Sequence, residues 1–256
     1  MSKKWVIASA AIIVILSATS IFTFAKDNSI KPSPSAEGTV TANKAPNNQL
    51  TSVNIPSEEM IAESDDKTVH ITGIKTDEGI FGQLKIITSV FSSSAPGYNV
   101  SNPTYAPQII SEDLNGNGQQ EVVVILTTGY GTGVYQSNVV VYNSEGTRVP
   151  VEDANTAFLK QFSGNFSDQG LELNVQGQHY EVPYSFILSD HAHLDARPQI
   201  GSIMQYTVED GVLTATTGVQ ISPSEFVGDL KLKYSFKNGS FQAGNASFEL
   251  YPEYST

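Results

Sequence analysis

The chain has no cysteine. That absence excludes a disulfide framework, a thiolate nucleophile, Cys-ligated zinc, an iron-sulfur cluster and a lipid-bearing lipobox. Tryptophan is nearly missing as well. The single one, Trp5, lies in an N-terminal apolar run, so any aromatic sugar platform in the rest of the chain must be built from Tyr and Phe, which argues against a carbohydrate-binding module. Basic residues are scarce: 14 Lys and Arg stand against 26 Asp and Glu, with no local cluster of five or more. Such a surface repels phosphate backbones and anionic lipid headgroups, so no nucleic acid partner is expected, and it concentrates cations instead.

What is present begins with an address. Lys3 and Lys4 supply a short basic start, and Trp5 to Ala25 is an uncharged, largely apolar run containing Ile12, Ile13, Val14, Ile15 and Leu16. This pattern predicts an N-terminal hydrophobic helix acting as an export signal, residues 1–25. Thr23-Phe24-Ala25 offers a small-x-small cleavage site. The run also matches the ~30 Å of hydrocarbon that a helical anchor must span, so a cleaved signal peptide and a retained signal anchor are both open. In either case Lys3 and Lys4 stay cytoplasmic and the rest lies outside. Without those two lysines the balance is 12 basic against 26 acidic side chains, a net charge of −14. Residues 26–59, rich in Ser, Pro, Asn, Lys and Thr as in Ile30-Lys31-Pro32-Ser33-Pro34-Ser35, read as a disordered tether.

Residues 60–256 read as one mainly β domain. Thr68 to Ile74 alternates Val69 and Ile71 with His70 and Thr72, whereas Val122 to Leu126 is apolar on both faces and predicts a central, covered strand with Val139 to Tyr142 beside it. Three dipeptides supply the positive φ angles of tight hairpin turns: Gln176-Gly177, Asp210-Gly211 and Asn238-Gly239. They predict pairing of Leu171 to Val175 with His179 to Leu188, of Ile203 to Val208 with Val212 to Thr217, and of Leu230 to Phe236 with Phe241 to Leu250. One short helix is expected from Glu152 to Gln161, capped by Asp153, with Ala157, Phe158 and Phe162 on one side. No internal repeat occurs, which argues against a propeller. The expected architecture is an antiparallel sandwich or a curved, partly closed sheet.

The segment Asp113-Leu114-Asn115-Gly116-Asn117-Gly118-Gln119-Gln120-Glu121 carries the clearest chemistry. Asp113, Asn115 and Asn117 place oxygens at positions one, three and five, Gly118 permits the sharp turn at six, Gln119 offers a carbonyl at seven, and Glu121 falls at nine. Position twelve is Val124 and the exit is a predicted strand, so an EF-hand is excluded. The same atoms also suit a metal-free set of Asx-turns. Followed by its Val-rich strand, the segment resembles the calcium loop of FG-GAP and VCBS-type repeats over residues 109–142, extending weakly into Thr128-Gly129-Tyr130-Gly131-Thr132-Gly133, and is similar there to single-loop exported proteins of Gram-positive bacteria. The resemblance implies Ca2+ held between β-strands by Asp113, Asn115, Asn117, Gln119 and Glu121. This chain departs from the family in its single copy, its two asparagines and its final glutamate.

Two other patterns carry possible chemistry. His191-x-His193-x-Asp195 is similar to the metal motif of metallo-β-lactamases, but Ala196 stands where another His belongs. On an extended segment the two imidazoles would point to one side and bind zinc with His179 or Asp195, but the stretch reads first as an exposed polar loop after the strand that ends near Leu188. Gly129-x-Gly131-x-Gly133 is followed by a β-like stretch, so it lacks the helix N-terminus of a phosphate loop; the glycines read as the connection between the two central strands, with lining of a binding surface by Tyr130 and Tyr135 as the alternative. The leading functional expectation is an extracytoplasmic, calcium-stabilised β module that binds or scaffolds an envelope ligand or protein, touching the membrane only through its N-terminal segment. The alternatives are a metal-dependent envelope hydrolase using His191 and His193, and a secreted inhibitor or sensor.

Overall fold

The computed structural model describes residues 57–255. The expected leader, 1–25, and most of the expected tether lie outside them. Among the described residues, no helix is long and apolar enough to cross a membrane.

The first strand, β1 (Glu58–Glu63), begins two residues inside the segment read as tether. It pairs antiparallel with β2 (Val69–Lys75), which pairs with β3 (Ile80–Thr88). The short strands β4 (Ser92–Ser94) and β5 (Asn99–Val100) both join β3, completing a five-stranded sheet. Along β2, Val69 and Ile71 are buried, as their alternation requires.

Next come β6 (Gln108–Glu112), β7 (Glu121–Gly131), β8 (Val134–Tyr142) and β9 (Arg148–Val149). The helix α1 (Ala154–Leu159) follows, capped by Asp153, whose carboxylate accepts the Thr156 amide at 2.7 Å. Ala154, Ala157 and Phe158 are its buried face. A three-stranded meander, β10 (Phe162–Phe166), β11 (Gly170–Val175) and β12 (Gln178–Pro183), is succeeded by the long hairpins of β13 (Ile203–Glu209), β14 (Val212–Ser222), β15 (Glu225–Lys237) and β16 (Ser240–Leu250).

All three expected turns are present. Gln176, Asp210 and Asn238 and the glycines after them have positive φ, as the hairpins demand. The strand expected to run to Leu188 stops instead at Pro183, which has no N–H to continue a ladder, and the chain enters a 3₁₀ turn at Tyr184–Phe186. The fold is mainly β but not wholly antiparallel. Ile203 and Met204 of β13 lie parallel to Tyr135 and Gln136 of β8, which joins the final meander to β6, β7 and β8 in one eight-stranded sheet. A parallel pairing needs a long crossover, here residues 143–202 with α1 and the small meander in it.

β7 is the hinge of the packing. Val122, Val124 and Leu126 belong to a core shared with β2, β3 and β8, whereas Val123 and Ile125 belong to a second core shared with α1 and β10 to β16. A strand buried on both faces must be apolar at every position, and Val122 to Leu126 is.

Candidate metal centre

The Asp113 loop connects β6 to β7, and most of its hydrogen bonds run within it. Asp113 Oδ1 accepts the amides of Gly116 at 2.8 Å and Asn117 at 3.2 Å, and Oδ2 accepts that of Gly118 at 2.8 Å. Asn115 Oδ1 accepts the Asn117 amide at 3.0 Å, and Asn117 Oδ1 accepts the Gln119 amide at 2.7 Å. Gly116 and Gly118 sit at φ +77° and +83°, the left-handed region that costs a residue with Cβ more. The Gly118 amide, together with those of Gly116, Asn117 and Asn115, holds the Asp113 carboxyl below the ordinary carboxylate value against the opposing effect of desolvation. It is an anion at neutral pH.

The far end of the loop is closed by Glu121. This first residue of β7 is 1% exposed. Its Oε2 accepts the Leu114 amide at 2.9 Å and its Oε1 accepts Asn115 Nδ2. Opposite it in the ladder stands another acid, Glu112. Among the described residues, the ion pairs involve neither Asp113 nor Glu121. The fifth predicted residue, Gln119, is exposed, and its Oε1 accepts the Ser144 hydroxyl at 2.7 Å from the turn after β8. The Asp210-Gly211 turn lies against the other side. A methyl group added at Gly211 would come within 3.5 Å of Glu112 Oε1. The tertiary fold thus brings the acidic turn of β13 and β14 to a loop that is already acidic.

This donor set fits a hard divalent cation. A carboxylate offers about four lone-pair sites and an amide oxygen two, so Asp113, Asn115, Asn117 and Glu121 each keep acceptor capacity beyond the hydrogen bonds named above. All the donors are oxygen, which suits Ca2+ and does not suit a soft metal. Only two are charged side chains, and among the described residues no three His, Asp or Glu side chains converge on a metal-sized point. The set fits a weak calcium site completed by backbone carbonyl and water oxygens.

The histidines are arranged differently. His191 to His193 form an exposed 3₁₀ turn, in keeping with a polar loop and not with the extended segment a zinc pair needs, and residues two apart on a three-residue turn do not share a side. His193 lies 3.9 Å from Asp190, His191 packs its ring 4.0 Å from that of Tyr184, and His179 pairs with Glu181 on β12. Asp195 is held by its backbone amide to the Ile221 carbonyl.

One functional-looking acid escaped the sequence reading. Glu225 is 6% exposed and accepts the amides of Leu188 and Ser189 at 2.8 and 2.7 Å and the Tyr254 hydroxyl at 2.9 Å. Burial raises its pKa, but the hydrogen bonds from Ser189, Leu188 and Tyr254 outweigh it, and the carboxyl lies below its ordinary value. It staples the histidine-bearing loop and the C-terminal Tyr254 to β15. No local pattern marks it, because all three donors are remote in sequence.

Comparison with protein-family models, with curated proteins and with solved structures finds nothing that matches this chain.

Proposed function

We propose that this chain is an exported, calcium-stabilised β module of sandwich-like build that binds or scaffolds a ligand at the cell envelope. The Asp113 loop is its FG-GAP- and VCBS-like ion site. The observation that carries the ion assignment is Glu121: a carboxylate buried at the mouth of an acidic loop, facing Glu112 across the ladder and lacking a basic partner among the described ion pairs. Buried charges are ordinarily paired or bound to metal. The leader supports the address, and the dispersed histidines favour binding over metal-dependent hydrolysis. When bound, calcium would neutralise Asp113 and Glu121 and tie the entry of β7, the strand common to both cores, to the end of β6.

The test is the thermal midpoint of the full-length protein in chelator and in ~10 mM calcium, with Asp113→Ala as comparison. A dissociation constant on the order of 10⁻⁴ to 10⁻³ M would stabilise the wild type by about 1.4 to 2.7 kcal/mol, a rise of several degrees, and leave the variant unmoved. An unchanged wild-type midpoint would reduce the loop to a set of Asx-turns.

A further inference from the structure

Three Asn-Gly dipeptides occur in the chain, at Asn115-Gly116, Asn117-Gly118 and Asn238-Gly239. Each carries a latent reaction. The main-chain nitrogen of the glycine, its proton lost to solvent, attacks Cγ of the asparagine; a succinimide ring closes as the bond to Nδ2 breaks and ammonia leaves. Water then opens the ring at either carbonyl, leaving aspartate or, with the main chain rerouted through the side chain, isoaspartate. Glycine is the successor that permits this best, because no Cβ shields its nitrogen.

Space does not distinguish the three sites. A Cβ placed on Gly116, Gly118 or Gly239 would meet nothing within 4 Å, and all three glycines are exposed. Hydrogen bonding does. The Gly116 and Gly118 amides both donate to the carboxylate of Asp113, at 2.8 Å to Oδ1 and 2.8 Å to Oδ2. Either nitrogen, on losing its proton, would become an anion at hydrogen-bond distance from another anion. The carboxamides are fixed as well: Asn115 Oδ1 accepts the Asn117 amide at 3.0 Å while its Nδ2 donates to Glu121, and Asn117 Oδ1 accepts the Gln119 amide at 2.7 Å. Asn238 has none of this. With Gly239 it forms the turn between β15 and β16, at φ +52° and +79°. Lys237 and Ser240 pair across its base, and the Ser240 hydroxyl and Gln242 Nε2 donate to the Lys237 carbonyl. Among the described residues, neither the Gly239 amide nor the Asn238 carboxamide has a hydrogen-bond partner.

We infer that Asn238 is a site of spontaneous deamidation, and that the Asp113 carboxylate guards Asn115 and Asn117 against the same reaction. A hydrogen bond to a charged acceptor must be given up before either loop nitrogen attacks, which slows the loop sites by about tenfold or more. At Asn238 the product adds a negative charge, and isoaspartate adds a methylene to the main chain where a tight turn sets the register of β15 and β16. Phe241, just beyond that turn, is buried and its ring centroid lies 5.3 Å from that of Phe236, so a distorted turn reaches the core. In the Asp113 loop the same extra methylene would fall at the entry of β7, the strand common to both cores. The guard thus protects the junction on which more of the fold depends. The inference requires neither a bound ion nor an envelope ligand.

The experiment ages the full-length protein in chelator at mildly alkaline pH, folded and in parallel in concentrated urea. Digestion after glutamate and fragment mass spectrometry then locate each exchange of amide for carboxyl. In urea the three sites should convert at similar rates, which calibrates the chemistry. In the folded wild type, Asn238 should convert about tenfold faster than Asn115 or Asn117. Asp113→Ala should raise conversion at the two loop sites about tenfold and leave Asn238 unchanged. An unchanged Asn238 rate shows that the variant is folded, since an unfolded one would convert all three sites at the urea rate. Asp113→Asn, which keeps the size and one acceptor oxygen, decides the matter if Asp113→Ala unfolds: it should speed conversion at Asn115 or Asn117. Three results overturn the inference: similar conversion of all three sites in the folded wild type, an Asn238 that stays intact while its urea control converts, or loop sites unmoved by the Asp113 substitutions. The readout is taken in chelator, so it stands or falls apart from the calcium response.

Discussion

Glu121 accepts the amide of Leu114 at 2.9 Å, so the loop leaving β6 is closed by the first residue of the strand it feeds. Truncation to Glu121→Ala strips two donors, the Leu114 amide and Asn115 Nδ2, of their acceptor. The expected loss is about 1–3 kcal/mol even in chelator. Urea denaturation should show a lower midpoint at unchanged m. An unaltered midpoint would mean that water replaces the carboxylate without cost.

Glu225 sets a pH dependence. Its folded pKa lies below the ordinary carboxylate value. Its contribution is therefore complete above the unfolded pKa and is lost as pH falls through the lower, folded one. Unfolding free energies measured from neutral pH down to about pH 3 should fall less steeply for Glu225→Gln than for wild type. Asp113, depressed in the same direction, leaves a residual slope in that variant. Identical slopes in the two proteins would show that the staple to Leu188, Ser189 and Tyr254 carries no linkage.

Ile125 and Leu126 are neighbours on β7 that serve different cores. Ile125→Ala and Leu126→Ala should each cost about 2–5 kcal/mol. A strand with one wet face would give one large and one negligible value. Chemical denaturation of the two variants decides between the cases.

The 3₁₀ turn at His191–His193 predicts the outcome of a metal analysis. Protein purified without chelator and equilibrated with zinc at neutral pH should retain no stoichiometric zinc by atomic emission. Stoichiometric zinc that disappears in His193→Ala would restore the hydrolase alternative.

The sequence alone was enough for the local decisions. Apolar runs located β7 and β8, three turn dipeptides placed three hairpins, and Asp153 marked the start of α1, because strand burial, turn φ angles and helix capping each depend on residues within a few positions. The calcium-type spacing of Asp113, Asn115, Asn117 and Glu121 was legible for the same reason. Tertiary structure alone decided the rest. The parallel junction of β8 with β13, the staple at Glu225 and the stacking of Tyr105 on Tyr130 all join residues 25 to 68 positions apart. Such contacts depend on how two cores share one strand, and no periodicity along the chain encodes which distant surfaces will meet.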